Sequence, residues 1–281
     1  MRLDLTDVAD GVYSRAELLA LDYDDPTLRR LVRNGLLTQP RHGWYATSAA
    51  DPDCVEAARR GGCLSCVSAL RAHGFWLPPG YHTLHVRASR HSGTKRQDFC
   101  RLPAGPLPVL TSIDAFPVAL ACAAQCMSAE DWIITADSVL NKSGMTVDEL
   151  RAEMPQVSKK IENMLAKCDP RSQSGTESAV RLRLRALGFH VEVQPAIVAV
   201  GHVDLKVGRL LIECDSKLHH TSLENYRKDR RRDRKSLGQQ LLPMRLTYDD
   251  VIYGWEETLA DIRAITDLDR HRLPRRRKSA S

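Results

Sequence analysis

Residues 202–220 read HVDLKVGRLLIECDSKLHH, and the first fourteen of them decide the C-terminal fold. Side chains alternate across a strand. Val203, Leu205 and Val207 therefore fall on one face of the first half, and His202, Asp204 and Lys206 on the other. In the second half Leu210, Ile212 and Cys214 share a face, opposite Leu211, Glu213 and Asp215. With Gly208-Arg209 as a two-residue turn, Val207 pairs with Leu210. Counting back sets Asp204 opposite Glu213 and His202 opposite Asp215. Opposed side chains in such a pair lie ~4.5–5.5 Å apart at Cβ, so two carboxylates there repel. A divalent cation between them reverses the sign, and hard oxygen ligands are what Mg²⁺ prefers. The pattern predicts Asp204 and Glu213 as ligands of Mg²⁺ (or Mn²⁺), provided the turn has two residues.

On either side of this hairpin the chain reads as alternating helices and strands. Ser174 and Glu177 form a capping box, and Gly188 closes the helix that carries AVRLRLRAL. FHVEVQP is a first strand, LENYRKDRRRDRKSLG a charged helix, LLPMRLTY a strand and DDVIYGWEETLADIRAI a helix. The predicted order over residues 174–265 is α-β-β-β-α-β-α. From Arg227 to Lys235 seven cations face two acids, Asp229 and Asp233. Arg227, Lys228, Arg231 and Arg234 are the candidate phosphate contacts; a solvated helix face is the alternative. The stretch KCDPRSQSG at 167–175 reads as a linker.

Glu177, then Asp204, then Glu213-Cys214-Asp215 in this frame resembles the PD-(D/E)XK nuclease superfamily, and within it the very-short-patch-repair-like endonuclease domains. The matching residues are Ile212, Glu213, Asp215, His219 and His220; Asp229, Arg232 and Asp233; and Arg245, Leu246 and Thr247. The resemblance covers residues 174–255. It implies a restriction-endonuclease-like αβββαβ domain, hydrolysis of DNA phosphodiesters, and Glu177, Asp204, Glu213, Asp215 and His219 as catalytic residues. Asp215 is then a third metal ligand or the group that orients His219, and His219 a proton shuttle or a cap on the strand end. Two departures stand out: Ser216 replaces the usual glycine, and Asp215 occupies the lysine position of D/E-x-K. Lys206 and Lys217 are the candidate substitutes. Arg232 and Arg245 pair with Asp229 or Asp250 if they serve the fold.

The first fifty residues read as two short helices and a hairpin. Ser14 and Glu17 form a capping box, and Asp25-Pro26 opens TLRRLVRNG, with Leu28, Leu31 and Val32 on one face. LLTQPRHGWYAT supplies two short strands. This order resembles a winged helix-turn-helix, in which the second helix enters the major groove and the wing touches the backbone. The implied DNA contacts are Thr27, Arg29, Arg30 and Arg33 on the helix and Arg41 and His42 on the wing; a protein-interaction module is the alternative. Residues 51–168 read as mostly helical, with a helix from Asp53 to Phe75 interrupted at Gly61-Gly62 and a strand in HTLHVRAS. Residues 1–165 resemble AbiEi-like antitoxins of type IV toxin–antitoxin systems, which implies a cognate toxin as partner.

The fold class expected is thus multidomain α/β: winged helix-turn-helix (1–50), helical middle (51–168), nuclease-like domain (174–265) and basic tail (266–281). The expected function is a metal-dependent DNA endonuclease in phage defence or DNA processing. The alternative is a catalytically inactive DNA-binding regulator or antitoxin.

Composition agrees with these readings. In 281 residues, 43% hydrophobic and 27% charged, no apolar run reaches the ~20 residues of a membrane span. The start, MRLDLTDVAD, has no apolar core of a secretory signal. Eight cysteines without such a signal read as reduced thiols of a cytoplasmic protein. Cys63-x-x-Cys66 and Cys122-x-x-x-Cys126 have zinc-like spacing, but in apolar helical stretches they read as small packed side chains. The net charge is +6, and residues 270–281 hold six cations and no acid, so the tail carries the whole excess. Such a tail follows a phosphate backbone or is simply solvated.

Overall fold

The computed structural model describes residues 11–88, 99–103, 105, 107–155, 157–215 and 223–266; between 223 and 229 only the side chain of Arg227 is described. These residues form a mixed α/β structure of twelve helices and four small open sheets. No helix among them is long and apolar enough to cross a membrane. The chain divides into two compact units, Met1–Trp132 with Thr146–Ala166 and Ile133–Met145 with Lys167–Ser281.

The first unit opens with β1 (Val12–Ser14), α1 (Arg15–Ala20), α2 (Asp25–Arg33), β2 (Thr38–Arg41) and β3 (Trp44–Ala46), the strands in the order β1-β3-β2. Strand β1, three residues long, carries too little alternation to be legible in sequence. Ser14 ends it and caps α1: its hydroxyl accepts from Glu17 N at 3.3 Å while Glu17 Oε2 accepts from Ser14 N at 2.8 Å. The cap of α2 is Asp24, not Asp25. Asp24 Oδ1 accepts from Thr27 N at 2.8 Å, and Asp25 is drawn instead to Arg15, 2.6 Å away. Leu18, Tyr23, Leu28, Leu31, Leu37 and Tyr45 make the core between these helices and the hairpin.

Next come α3 (Pro52–Arg60), β4 (Gly62–Leu64), α4 (Cys66–Ala72), β5 (Val86–Ala88), α5 (Phe116–Ala123), α6 (Ala129–Ser143), α7 (Val147–Glu153) and α8 (Lys159–Leu165). The expected interruption of one helix at Gly61-Gly62 is a strand, β4, paired antiparallel with β5. A Cβ on Gly62 would stand 2.2 Å from the Arg87 carbonyl oxygen, so only glycine lets the strands approach. Arg87 is itself buried and holds Asp114 with both ends of its guanidinium, at 2.7 and 2.6 Å.

The second unit takes the later part of α6 and continues with α9 (Gly175–Ala186), β6 (Glu192–Val193), β7 (Ala196–Ile197), β8 (Gly201–His202), β9 (Leu205–Val207) and β10 (Leu210–Cys214). It ends with α10 (Leu223–Gly238), β11 (Leu242–Leu246), α11 (Tyr248–Ile252) and α12 (Trp255–Thr266). The main sheet runs β11-β10-β9-β6, with β10 and β11 parallel and the other pairs antiparallel. Pro243 is tolerated because β11 lies at the sheet edge. The predicted final helix is two, α11 and α12, divided at Gly254.

The residues read as a linker are held tightly. Asp137 Oδ2 accepts from Arg181 Nη2 and Ser178 Oγ, each at 2.6 Å, and its Oδ1 accepts from Asp169 N at 2.7 Å. Asp137, Asp169, Ser172, Ser178 and Arg181 are all buried. A buried arginine requires this paired carboxylate, and the pairing draws residues 167–172 into the unit.

Hairpin β9–β10 has the predicted register, Val207 against Leu210, Lys206 against Leu211 and Leu205 against Ile212. Gly208, at φ +61, supplies the positive φ its turn needs. Beyond Leu205 the ladder stops. Asp204 Oδ2 accepts from Cys214 N at 2.8 Å, so a side chain takes the backbone donor that the next rung would use. The chain bends there, and His202 pairs with Ala196 in the separate β7–β8 ribbon. The expected opposition of His202 and Asp215 is therefore corrected: Asp215 N instead donates to the Leu246 carbonyl at 2.8 Å.

Candidate acidic site

The bend gathers three carboxylates, Glu177, which is buried, and Asp204 and Glu213, which are half-buried. Glu177 lies in the first turn of α9, where Ser174 Oγ accepts from its N–H at 3.1 Å. The reciprocal half of a capping box is redirected: Glu177 Oε2 accepts from Gln173 N at 3.0 Å and from Gln194 Nε2 at 2.9 Å. Gln194 Nε2 also donates to Asp204 Oδ1 at 3.2 Å, so one amide bridges two acids. Gln194 is held at φ +50, and its backbone N–H donates to the Asp204 carbonyl at 2.9 Å. Glu213, on β10, accepts at Oε1 from Arg232 Nη2 at 2.7 Å. Asp215 is farther out, its side chain 54% exposed, with Arg245 Nη1 at 3.8 Å.

Burial dominates the electrostatics. It raises the Glu177 carboxyl above its ordinary value, and the charge of Asp204 adds to the effect. Burial likewise raises Asp204, against the opposing hydrogen bonds from Cys214 and Gln194. Glu213 is pushed up to about 7, first by burial and then by Asp204, against the attraction of Arg232 and Arg245. Ionised together, the three carboxyls would face one contacting guanidinium among the described residues, that of Arg232, which leaves negative charge uncompensated. An all-oxygen donor set with surplus negative charge suits a hard divalent cation such as Mg²⁺ or Mn²⁺.

The neighbouring cations have definite partners. Arg232 turns inward, its Nε donating to the Val200 carbonyl at 3.1 Å and its Nη2 to the His202 carbonyl and to Glu213. Arg232 pairs with Glu213, Arg245 sits 3.3 Å from Asp233 and 3.8 Å from Asp215, and Asp250 joins the cap of α11 at Thr247; the side chain of Asp229, the other expected partner, lies outside the described residues. Lys206 pairs with Glu192 at 2.5 Å, which engages the ammonium of one candidate substitute for the absent lysine. On α10, Arg227, Arg231 and Arg234 are exposed at i, i+4 and i+7, away from the inward Arg232 and the buried Ser236. His219, with Ser216, Lys217 and His220, lies outside the described residues, as do the side chain of Lys228 and the tail beyond residue 266.

In the first unit Arg29, Arg30 and Arg33 are exposed on α2, while Thr27 is half-buried beside the capping Asp24. Arg41 and His42 are exposed on the β2–β3 hairpin. Arg41 lies over the backbone of Gly61, where a Cβ would meet its Nη1 at 1.4 Å.

Gln194 escapes a sequence reading because its role depends on the bend; the one local sign is a polar residue before Pro195 at the end of an apolar run. The cysteine pairs divide in a way their spacing does not foretell. Cys63 and Cys122 are buried and reach the carbonyls of Arg87 and Arg101, at 4.0 and 3.5 Å. Cys66 and Cys126 instead meet Cys100 and His85.

Fold and site together define a mixed α/β protein with a bridged, undercompensated carboxylate cluster at a bent hairpin. No protein-family model matches the chain, and no curated protein matches it.

Proposed function

We propose that residues 174–265 form a restriction-endonuclease-like domain of the PD-(D/E)XK kind, and that the protein hydrolyses DNA phosphodiester bonds with Mg²⁺ or Mn²⁺. The observation that carries the reading is the joining of Glu177 and Asp204 through Gln194, with Glu213 on the adjoining strand. Asp204 and Glu213 would hold the ion, with Asp215 as a further ligand or as the group that orients His219. A divalent ion so bound supplies Lewis-acid activation of water and neutralises charge at the phosphate. Gln194 fixes Glu177 and Asp204 in register before any ligand arrives. Arg227, Arg231 and Arg234 form a stripe able to follow a DNA backbone, an electrostatic role independent of sequence. The N-terminal segment acts as a winged helix-turn-helix holding DNA through Arg29, Arg30 and Arg33, with Arg41 and His42 on the wing.

A second reading has its own support. Arg232 already occupies one oxygen of Glu213, and Asp215 stands where a catalytic lysine is expected. On this reading the domain is a scaffold, and the protein is a DNA-binding regulator or an antitoxin with a cognate toxin. Calorimetric titration of the full chain with Mg²⁺ separates the two. The nuclease reading expects saturable binding that Asp204→Asn removes while the fold persists. Equal heats for parent and variant favour the scaffold.

A further inference from the structure

Metal chemistry of a different kind is laid out in the first unit. Cys66 opens α4, His85 precedes β5, Cys100 follows on the bridge to Arg87, and Cys126 lies in the turn after α5. Their ligand atoms all lie within 4.8 Å of one another. Cys100 Sγ is 3.3 Å from His85 Nδ1 and 3.8 Å from Cys126 Sγ. Tetrahedral zinc, with Zn–S about 2.3 Å and Zn–N about 2.0 Å, requires S···S near ~3.8 Å and S···N near ~3.5 Å. The observed separations are those of a coordination shell rather than of a disulfide, and all four groups are free thiols or imidazole.

We propose that Cys66, His85, Cys100 and Cys126 form a structural zinc site.

The donor set selects the metal. Three sulfurs and one imidazole nitrogen in tetrahedral reach favour Zn²⁺ and disfavour Mg²⁺ and Ca²⁺, which take oxygen. Four protein ligands fill the tetrahedron, which marks a structural role because a catalytic zinc keeps a position for water. The backbone around the ligands is fixed independently of them. Ser65 N donates to the His85 carbonyl at 3.1 Å, and His85 N donates to Ser68 Oγ at 2.9 Å, which ties His85 to the start of α4. Cys100 N donates to the Val86 carbonyl at 2.8 Å, and Cys126 N to the Ala123 carbonyl at 2.9 Å. Cys66 sits at φ +52, a left-handed conformation that costs a non-glycine residue energy and that a bound metal would offset. Among the described residues this is the one set of three or more such ligands gathered within that distance. A zinc here would join four segments spread over residues 66–126, where the described element between His85 and Cys100 is the three-residue strand β5. It would add cross-linking that those short elements do not provide by themselves.

The test uses the full chain purified in reductant, its zinc measured by plasma mass spectrometry, then exchanged for Co²⁺. The expected result is about one zinc per chain, and a cobalt spectrum with tetrahedral d–d bands and thiolate charge transfer. Cys126→Ser, at the most exposed ligand, should lose the stoichiometric zinc and about one-third of the charge-transfer intensity in any remaining cobalt adduct. Cys63→Ala and Cys122→Ala should keep the parent's content and spectrum. His85→Cys, which preserves tetrahedral binding, should keep the ion and change the spectrum to that of four thiolates, and it serves if Cys126→Ser fails to fold. Reduced parent without zinc and without a cobalt spectrum overturns the proposal. So does a Cys100–Cys126 disulfide in the purified chain, or loss of metal by Cys63→Ala and Cys122→Ala equal to that of Cys126→Ser. The readout is metal content and spectrum, so DNA cleavage can fail without touching it.

Discussion

The acidic cluster of the second unit and the thiol–imidazole quartet of the first differ in chemistry and in how their residues are spaced. In the acidic cluster Asp204 and Glu213 are nine positions apart on a single hairpin, and one amide, Gln194, reaches across to Glu177. In the quartet the ligands lie 19, 15 and 26 positions apart along the chain, and no two share an element. A hairpin site is dictated locally, by a two-residue turn and strict alternation. A site drawn from four segments depends on the fold of the whole unit. As proposed, hard oxygens would take an exchangeable Mg²⁺, whereas soft sulfurs in a closed set would hold a resident ion.

The largest effect expected in the second unit concerns two carboxylates, the buried Asp137 and the half-buried Asp204, that differ above all by partner. Asp137 is neutralised by Arg181 at 2.6 Å, with both side chains buried to within 1% of complete. Asp204 has an amide and a backbone N–H, and among the described residues no cation pairs with it. Asp137→Asn should therefore cost about 3–5 kcal/mol, because it strands a buried guanidinium. Asp204→Asn should leave stability unchanged or raise it, because it removes one of several repelling charges. Urea denaturation of both variants checks this, and equal losses would make Asp204 a fold residue.

A smaller effect follows from pH. Glu213, Glu177 and Asp204 are all raised in the folded state, so the folded chain holds more protons than the unfolded chain above the ordinary carboxylate range. Stability from these groups is then greatest below about pH 4.5 and is lost as pH rises to about 7, the folded value of Glu213. Thermal melts between those limits should show a declining Tm that Asp204→Asn flattens and that millimolar Mg²⁺ opposes at the upper end. A Tm rising across that window in the parent, with no response to the variant, would mean that the cluster is not undercompensated.

The smallest effect is on DNA affinity. Replacing Arg227, Arg231 and Arg234 by Ala should leave the acidic cluster and the thiol–imidazole quartet intact, weaken binding to any duplex and reduce the salt slope by about 0.9 per lost phosphate contact. Fluorescence anisotropy across a salt series measures it. An unchanged slope would assign the stripe to solvent and leave DNA contact to the first unit.

Local chemistry made parts of both units legible in sequence. The β9–β10 register of the second follows from Gly208 and alternation, and the cap at Ser14 in the first follows from a serine three residues before a glutamate. The bend at Asp204 was not legible, because it arises when a carboxylate takes the Cys214 N–H from the backbone ladder. Gln194 follows from that bend. Asp137 and Arg181, 44 residues apart, carry no shared pattern, so residues 167–175 look like a linker until the ion pair is seen. The reading of Cys63, Cys66, Cys122 and Cys126 as small packed side chains fits the buried Cys63 and Cys122, whereas Cys66 and Cys126 gather with His85 and Cys100, which spacing along the chain does not foretell.

The central claim is that Asp204 belongs to a metal-dependent nuclease site rather than to the fold. The most direct measurement is nicking of supercoiled plasmid by the full chain with Mg²⁺ or Mn²⁺, for the parent and Asp204→Asn, beside melting curves of both. The parent should nick only with divalent metal, and the variant should melt no lower yet not nick. A variant that cleaves like the parent, or a parent inert with every divalent metal, would contradict it.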